Sequence, residues 1–89
     1  SAEDVIVRNR LYARLGASRA RQILALNYPS GSARLEINRR VAMANEKGDT
    51  DAAAKSKVID EIVTELVDRA ISSQLSRPDD SKASRKVTA

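Results

Sequence analysis

Histidine, cysteine, tryptophan and phenylalanine are all missing from this 89-residue chain, and Tyr12 and Tyr28 are its only aromatics. Without histidine or cysteine there is no zinc finger, thiol nucleophile, imidazole base or disulfide framework. Three glycines and two prolines leave few positions at which a helix must break. No apolar run approaches the ~18–20 residues a transmembrane helix needs, and no signal-peptide pattern opens the chain. These absences predict a soluble cytoplasmic protein with no metal, no cofactor and no membrane contact. What is present is rich in Ala, Leu, Arg, Glu and Lys, which are good helix formers.

The expected fold is all-α, a three-helix bundle or a helical hairpin plus a third helix. One helical domain over residues 1–76 is followed by a flexible basic tail, 77–89. The first helical stretch covers residues 3–27, and Gly16 to Ser18 either break it or are tolerated within it. Tyr28-Pro29-Ser30-Gly31-Ser32 is the strongest turn signal, since Pro fixes φ and Gly permits φ > 0. Ser32 is placed to cap a second helix over 33–47, with Gly48 just past its end. Asp49, Thr50 or Asp51 caps the third, which Arg77-Pro78 ends at about residue 75 or 76.

The third helix carries the widest apolar face. At ~100° per residue, Val58, Ile59, Ile62, Val63, Leu66, Val67, Ala70 and Ile71 spread over roughly 220°, against the ~100° a helix packed on one neighbour needs. Two readings follow: a second layer from a partner chain, or a central helix covered by both others. In the first stretch Val7, Leu11 and Leu15 form a stripe that Ile23 and Leu26 can continue. Leu35, Ile37, Val41 and Met43 give the second helix a thin core contribution. A core this poor in aromatics favours completion by a partner. The candidate protein-binding residues are therefore Leu11, Leu15, Ile23, Ile59, Ile62, Val63, Leu66, Val67 and Ile71.

Charge is segregated along the chain. Residues 1–45 hold eight arginines, no lysine and three acids, whereas residues 46–76 are net acidic. Guanidinium forks match phosphate oxygens, so Arg19, Arg21, Arg34, Arg39 and Arg40 are the candidate nucleic-acid contacts. The same arginines can instead pair with carboxylates of a protein partner or of the third helix. No aromatic residues are interleaved with them to stack single-stranded bases.

Catalytic patterns are missing: there is no glycine-rich phosphate loop, HExxH, EF-hand loop or GxSxG. A small all-helical enzyme of the chorismate mutase kind would need Arg39, Lys47, Glu61 and Gln74 to converge on a dianion, and that family's pattern is not recognisable. Residues 10–26 (Leu11, Tyr12, Leu15, Gly16, Ser18, then Ile23) read as helix, Gly-Ala-Ser turn, helix. However, the small residue expected about four before the Gly and the apolar one about six after it are Tyr12 and Gln22, with Ile23 one place late. A recognition helix bearing Arg19 and Arg21 suits DNA.

The run Ala17-Ser18-Arg19-Ala20-Arg21-Gln22-Ile23 resembles the hallmark stretch of the omega subunit of bacterial RNA polymerase. Gly31, Ala33, Leu35 and Glu36 are similar in offset to a later segment of longer members, and Ile59, Glu61, Ile62 and Leu66 look like a later helix of that family. The resemblance implies a non-catalytic helical protein that clamps a large polymerase subunit and assists assembly. The leading expectation is thus a non-catalytic assembly or regulatory subunit, with a protein partner or further copies of itself. Its alternative is a DNA-binding helical protein.

Overall fold

The computed structural model describes residues 2–73. They form four α-helices: α1 (Ala2–Leu15), α2 (Ala17–Asn27), α3 (Ala33–Glu46) and α4 (Asp51–Ser72), with a 3-10 turn at Pro29–Gly31. No strand occurs among the described residues. The chain is all-α, with one helix more than the three expected. The 77–89 tail, Gln74 and the end of the last helix at residue 75 or 76 lie outside the described residues.

The extra helix comes from Gly16. Its backbone sits at φ 80°, ψ 159°, a region that essentially only glycine occupies. The Gly16 N–H still donates to the Tyr12 carbonyl at 2.9 Å, and its own carbonyl accepts from the Ala20 N–H at 3.0 Å. One residue therefore closes α1 and opens α2. Arg19 folds back so that its Nε donates to the Leu15 carbonyl at 3.2 Å, satisfying an oxygen that the end of α1 would leave bare. Gly16→Ala should cost about 1–3 kcal/mol through this backbone strain alone. Urea unfolding measures it, and a change below about 0.5 kcal/mol would show that the kink is relaxed easily.

The other boundaries follow their local chemistry unevenly. Gly48, at φ 103°, ends α3 as expected. The Asp49 N–H donates to the Ala44 carbonyl and the Gly48 N–H to the Asn45 carbonyl, each at 3.0 Å, the bonding pattern of a Schellman motif. Thr50 caps α4, its Oγ1 accepting from the Ala53 N–H at 3.3 Å. Ser32 does not cap α3 through its side chain. The preceding turn already holds it at φ −65°, ψ −9°, whereas a capping hydroxyl needs extended backbone to reach the helix N–H groups.

The register around α4 is fixed by polar contacts. Lys55 meets Glu3 at 3.4 Å and Arg10 meets Asp60 at 2.6 Å, so α1 runs parallel to α4. Arg40 meets Glu65 at 2.8 Å and Asp49 meets Lys57 at 3.8 Å, so α3 runs antiparallel to it. α2 leaves the kink and ends beside the last turns of α4, where Arg69 Nη1 donates to Asn27 Oδ1 at 2.8 Å. All three other helices pack on α4, while α2 and α3 do not touch.

The core is aliphatic and internal to this one chain. Val7, Leu11, Leu15, Ala20, Ile23, Ile37, Val58, Ile59, Ile62, Val63, Leu66 and Ala70 are all at most 5% exposed, with Tyr12, Tyr28, Val41 and Val67 packed at their edge. The wide apolar arc of α4 is explained by this arrangement. It is the central helix, and three neighbours cover it without a second chain. Among the described residues no helix is long and apolar enough to cross a membrane.

Candidate protein-binding surface

The residues singled out as protein-binding divide sharply. Leu11, Leu15, Ile23, Ile59, Ile62, Val63 and Leu66 are buried, and Val67 is half-buried. These side chains hold the bundle together and offer a partner no surface while it stays folded. Ile71 alone stands out, 62% exposed on the last turn of α4.

Apolar surface is left elsewhere. Leu26 on α2 is 68% exposed and Leu35 on α3 is 66% exposed. Helical spacing points both toward the core, and Met43 too, yet all three are exposed. The physical reason is angular. Ile37 is the buried anchor of α3, Leu35 is separated from it by about 160° around the helix, and Met43 by about 120°. The three cannot share one inward face, so the discrepancy was already visible in the spacing. Val5 and Ile6, on the first two turns of α1, are exposed as well.

Leu26, Leu35 and Ile71 belong to one end of the bundle. Leu26 adjoins Asn27, which takes the hydrogen bond from Arg69, two residues before Ile71. Stepping back ~1.5 Å per residue along α3 from the Arg40–Glu65 contact sets Leu35 level with the Ala70-Ile71 turn. This end is also cationic. Arg21, Arg34 and Arg69 are exposed around it, and Asp68 is the exposed acid among them.

The five arginines considered for phosphate contact are mostly committed within the chain. Arg40 spans α3 and α4: its Nη1 and Nη2 donate to Glu65 Oε2 and Oε1, each at 2.8 Å, and its Nε donates to Glu36 Oε2 at 2.7 Å. Arg39 holds the same Glu36 through Nε at 3.0 Å and Nη2 at 2.6 Å. The hydrogen bonds from Arg39 and then Arg40 pull the Glu36 carboxyl from an ordinary 4.5 down to about 2. Glu65 is lowered too, first by its hydrogen bond from Arg40. Arg19 is turned onto the Leu15 carbonyl. Only Arg21 and Arg34 of the five point free of such contacts, on different helices that do not touch.

Two grooves flank α4. One of about 670 Å³ runs between α3 and α4, with Met43, Ala44 and Val58 below and Arg39, Lys47 and Glu61 on its rims. Its charges alternate in sign and largely satisfy one another, so no single ionic ligand is favoured. A smaller one, lined by Arg10, Arg14 and Asp60, lies against α1. Arg39, Lys47 and Glu61 do line the larger groove together, but Gln74 lies outside the described residues, and Arg39 is engaged by Glu36. No group of three or more metal-ligating side chains occurs among the described residues.

The fold and this surface describe a small helical bundle with large apolar side chains exposed toward one end. In comparisons with protein-family models, characterised proteins and solved structures, nothing matches the chain.

Proposed function

We propose that this chain is a non-catalytic helical module that binds protein through the apolar side chains its own packing leaves uncovered. The observation that carries the reading is that Leu26, Leu35 and Ile71, one each on α2, α3 and α4, are each roughly two-thirds exposed and lie toward the same end of α4. Large aliphatic side chains gain free energy by leaving water, and a partner that covered these three would supply that gain. The role is that of an assembly or regulatory subunit. The resemblance of residues 17–23 to the omega subunit makes a large polymerase subunit the first partner to try. Those residues form the first turns of α2, where Ala20 and Ile23 are buried and Arg21 faces solvent.

Duplex DNA is the second reading, favoured by the exposed Arg8, Arg14, Arg21 and Arg34. A DNA titration over a range of salt separates the two. The protein-binding reading predicts weak, sequence-indifferent DNA affinity that Arg21→Ala and Arg34→Ala barely change. A DNA-binding function instead predicts sequence-selective binding and a loss of about one unit of salt slope for each phosphate-contacting arginine removed. That result would replace the protein-binding reading.

A further inference from the structure

We infer that Gly16 is a hinge through which two copies of this chain exchange α1. In the exchanged pair α1 and α2 straighten into one helix, and each copy's α1 packs on the α4 of the other. Leu26, Leu35 and Ile71 lie on α2, α3 and α4, which do not exchange, so the surface read above as protein-binding is unchanged by it.

The hinge is one residue long. Gly16 holds φ 80°, ψ 159°, yet helical bonding reaches it from both sides. Its N–H donates back to Tyr12, and its carbonyl accepts from Ala20. Among the described residues, the three bonds that would straddle it in an unbroken helix are not made. They would run from the N–H groups of Ala17, Ser18 and Arg19 to the carbonyls of Ala13, Arg14 and Leu15, and the Arg19 side chain stands in for the last of them. Turning this one residue into the α region restores all three. Nothing else in the sequence resists it. Gly16 is the only glycine in residues 2–27, which contain no proline, and the Ala, Arg and Leu around it are strong helix formers.

What holds the kink is packing on α4. Val7, Leu11 and Leu15 of α1, and Ala20 and Ile23 of α2, are at most 2% exposed. The Arg10–Asp60 and Asn27–Arg69 contacts are about 13.5 Å apart along α4 but about 25.5 Å apart along an unbroken helix. A straight helix therefore cannot keep both α1 and α2 on the same α4. Opening the hinge strips α1 from α4 and α3, the helices it packs on, and leaves an apolar seam bare.

The occupant that fits this seam is the α1 of a second copy. It carries Val7, Leu11 and Leu15 at the required spacing, and it rebuilds Glu3–Lys55 and Arg10–Asp60 between chains. Every contact that α1 gives up within one chain is regained across the pair, so closed monomer and exchanged dimer differ mainly at the hinge. Such an exchange of identical elements is a low-cost route to a dimer. It is reciprocal, and so it closes as a two-fold pair.

Sedimentation of full-length Gly16→Ala from about 1 μM to about 1 mM tests this, because alanine is strained at the kink and favoured in the straight helix. The variant should keep its helices by circular dichroism and form a dimer. Its dissociation constant should lie at least about a hundredfold below that of the wild type, about tenfold for each of two hinges. Exchange itself is read with introduced cysteines, since the chain has none. Gly16→Ala chains carrying Arg10→Cys are unfolded in urea together with Gly16→Ala chains carrying Asp60→Cys, then refolded and treated with a short bismaleimide. The Arg10 position of one chain should become linked to the Asp60 position of the other. Two glycines inserted after Gly16 in the wild-type chain lengthen the hinge, and should leave a monomer that gives no such link. A helical Gly16→Ala monomer up to about 1 mM overturns the inference. So does a dimer without the link, a variant that stays unfolded at every concentration, or a glycine-lengthened chain that dimerises and links as Gly16→Ala does.

Discussion

Ile62→Asp should leave the chain without a cooperative unfolding transition under native conditions. Ile62 is fully buried at the middle of α4, where α1 and α3 close over it. Uncompensated burial of a carboxylate costs several kcal/mol, and the stability of a domain this small falls at or below the ~5–15 kcal/mol usual for folded proteins. Leu66→Ala, one turn on, is the milder version. It deletes a fully buried side chain and should cost about 2–5 kcal/mol, according to how far the site collapses. Far-ultraviolet circular dichroism against urea reads both. If Ile62→Asp unfolded with a wild-type midpoint, α4 would not be the central helix.

Arg40→Met should cost about 1.5–3 kcal/mol, the range for hydrogen bonds to charged groups. The cost arises because Arg40, half-buried, is the one side chain among the described residues that ties α3 to α4 through two N–H···O contacts, both on Glu65. Arg39→Met should change stability by less than about 0.5 kcal/mol, since its pair with Glu36 is exposed and lies within one helix. The same cluster sets an acid response. Glu36 binds its proton less tightly in the folded chain, at about 2, than at its ordinary 4.5. Its contribution is therefore complete above pH 4.5 and disappears as pH falls toward 2. Glu65 shifts in the same direction. Wild-type stability should fall across that window, and Arg40→Met should fall less steeply, because it lacks the cation that holds both carboxylates ionised. Equal slopes for the two proteins would contradict the assigned pairing.

Much of the architecture was written in local chemistry. The Schellman end at Gly48 and the Thr50 cap are decided by residues within a few positions of each other, and so is the all-helical composition. Gly16 was ambiguous because a glycine inside a helix and a glycine that breaks one look alike in sequence. Tertiary packing selected the break. α4's apolar breadth was visible, but the number of neighbours that cover it was not. One extra helix, α2, is part of what turns an apparently unfinished surface into an interior. The functional surface was least legible. Leu26 and Leu35 looked like core because apolar residues at helical spacing usually are. The angular spacing already turns Leu35 away from Ile37, but only the register through Arg40–Glu65 and Asn27–Arg69 sets Leu26 and Leu35 level with the last turns of α4. Arg39 and Arg40 were open between phosphate contact and pairing within the chain, and only the register of α3 against α4 sets Arg40 on Glu65.

The central claim is that the apolar side chains left for a partner lie at the α2, α3 and α4 end rather than on the broad face of α4. Urea unfolding of dilute Leu26→Gln, Leu35→Gln and Ile71→Gln tests it most directly. Each should lie within about 0.5 kcal/mol of wild type, as exposed substitutions do, whereas Leu66→Ala loses several times that. Losses of about 2 kcal/mol or more at Leu26, Leu35 and Ile71 would mean that the folded chain already covers them, and would contradict the existence of a free apolar end.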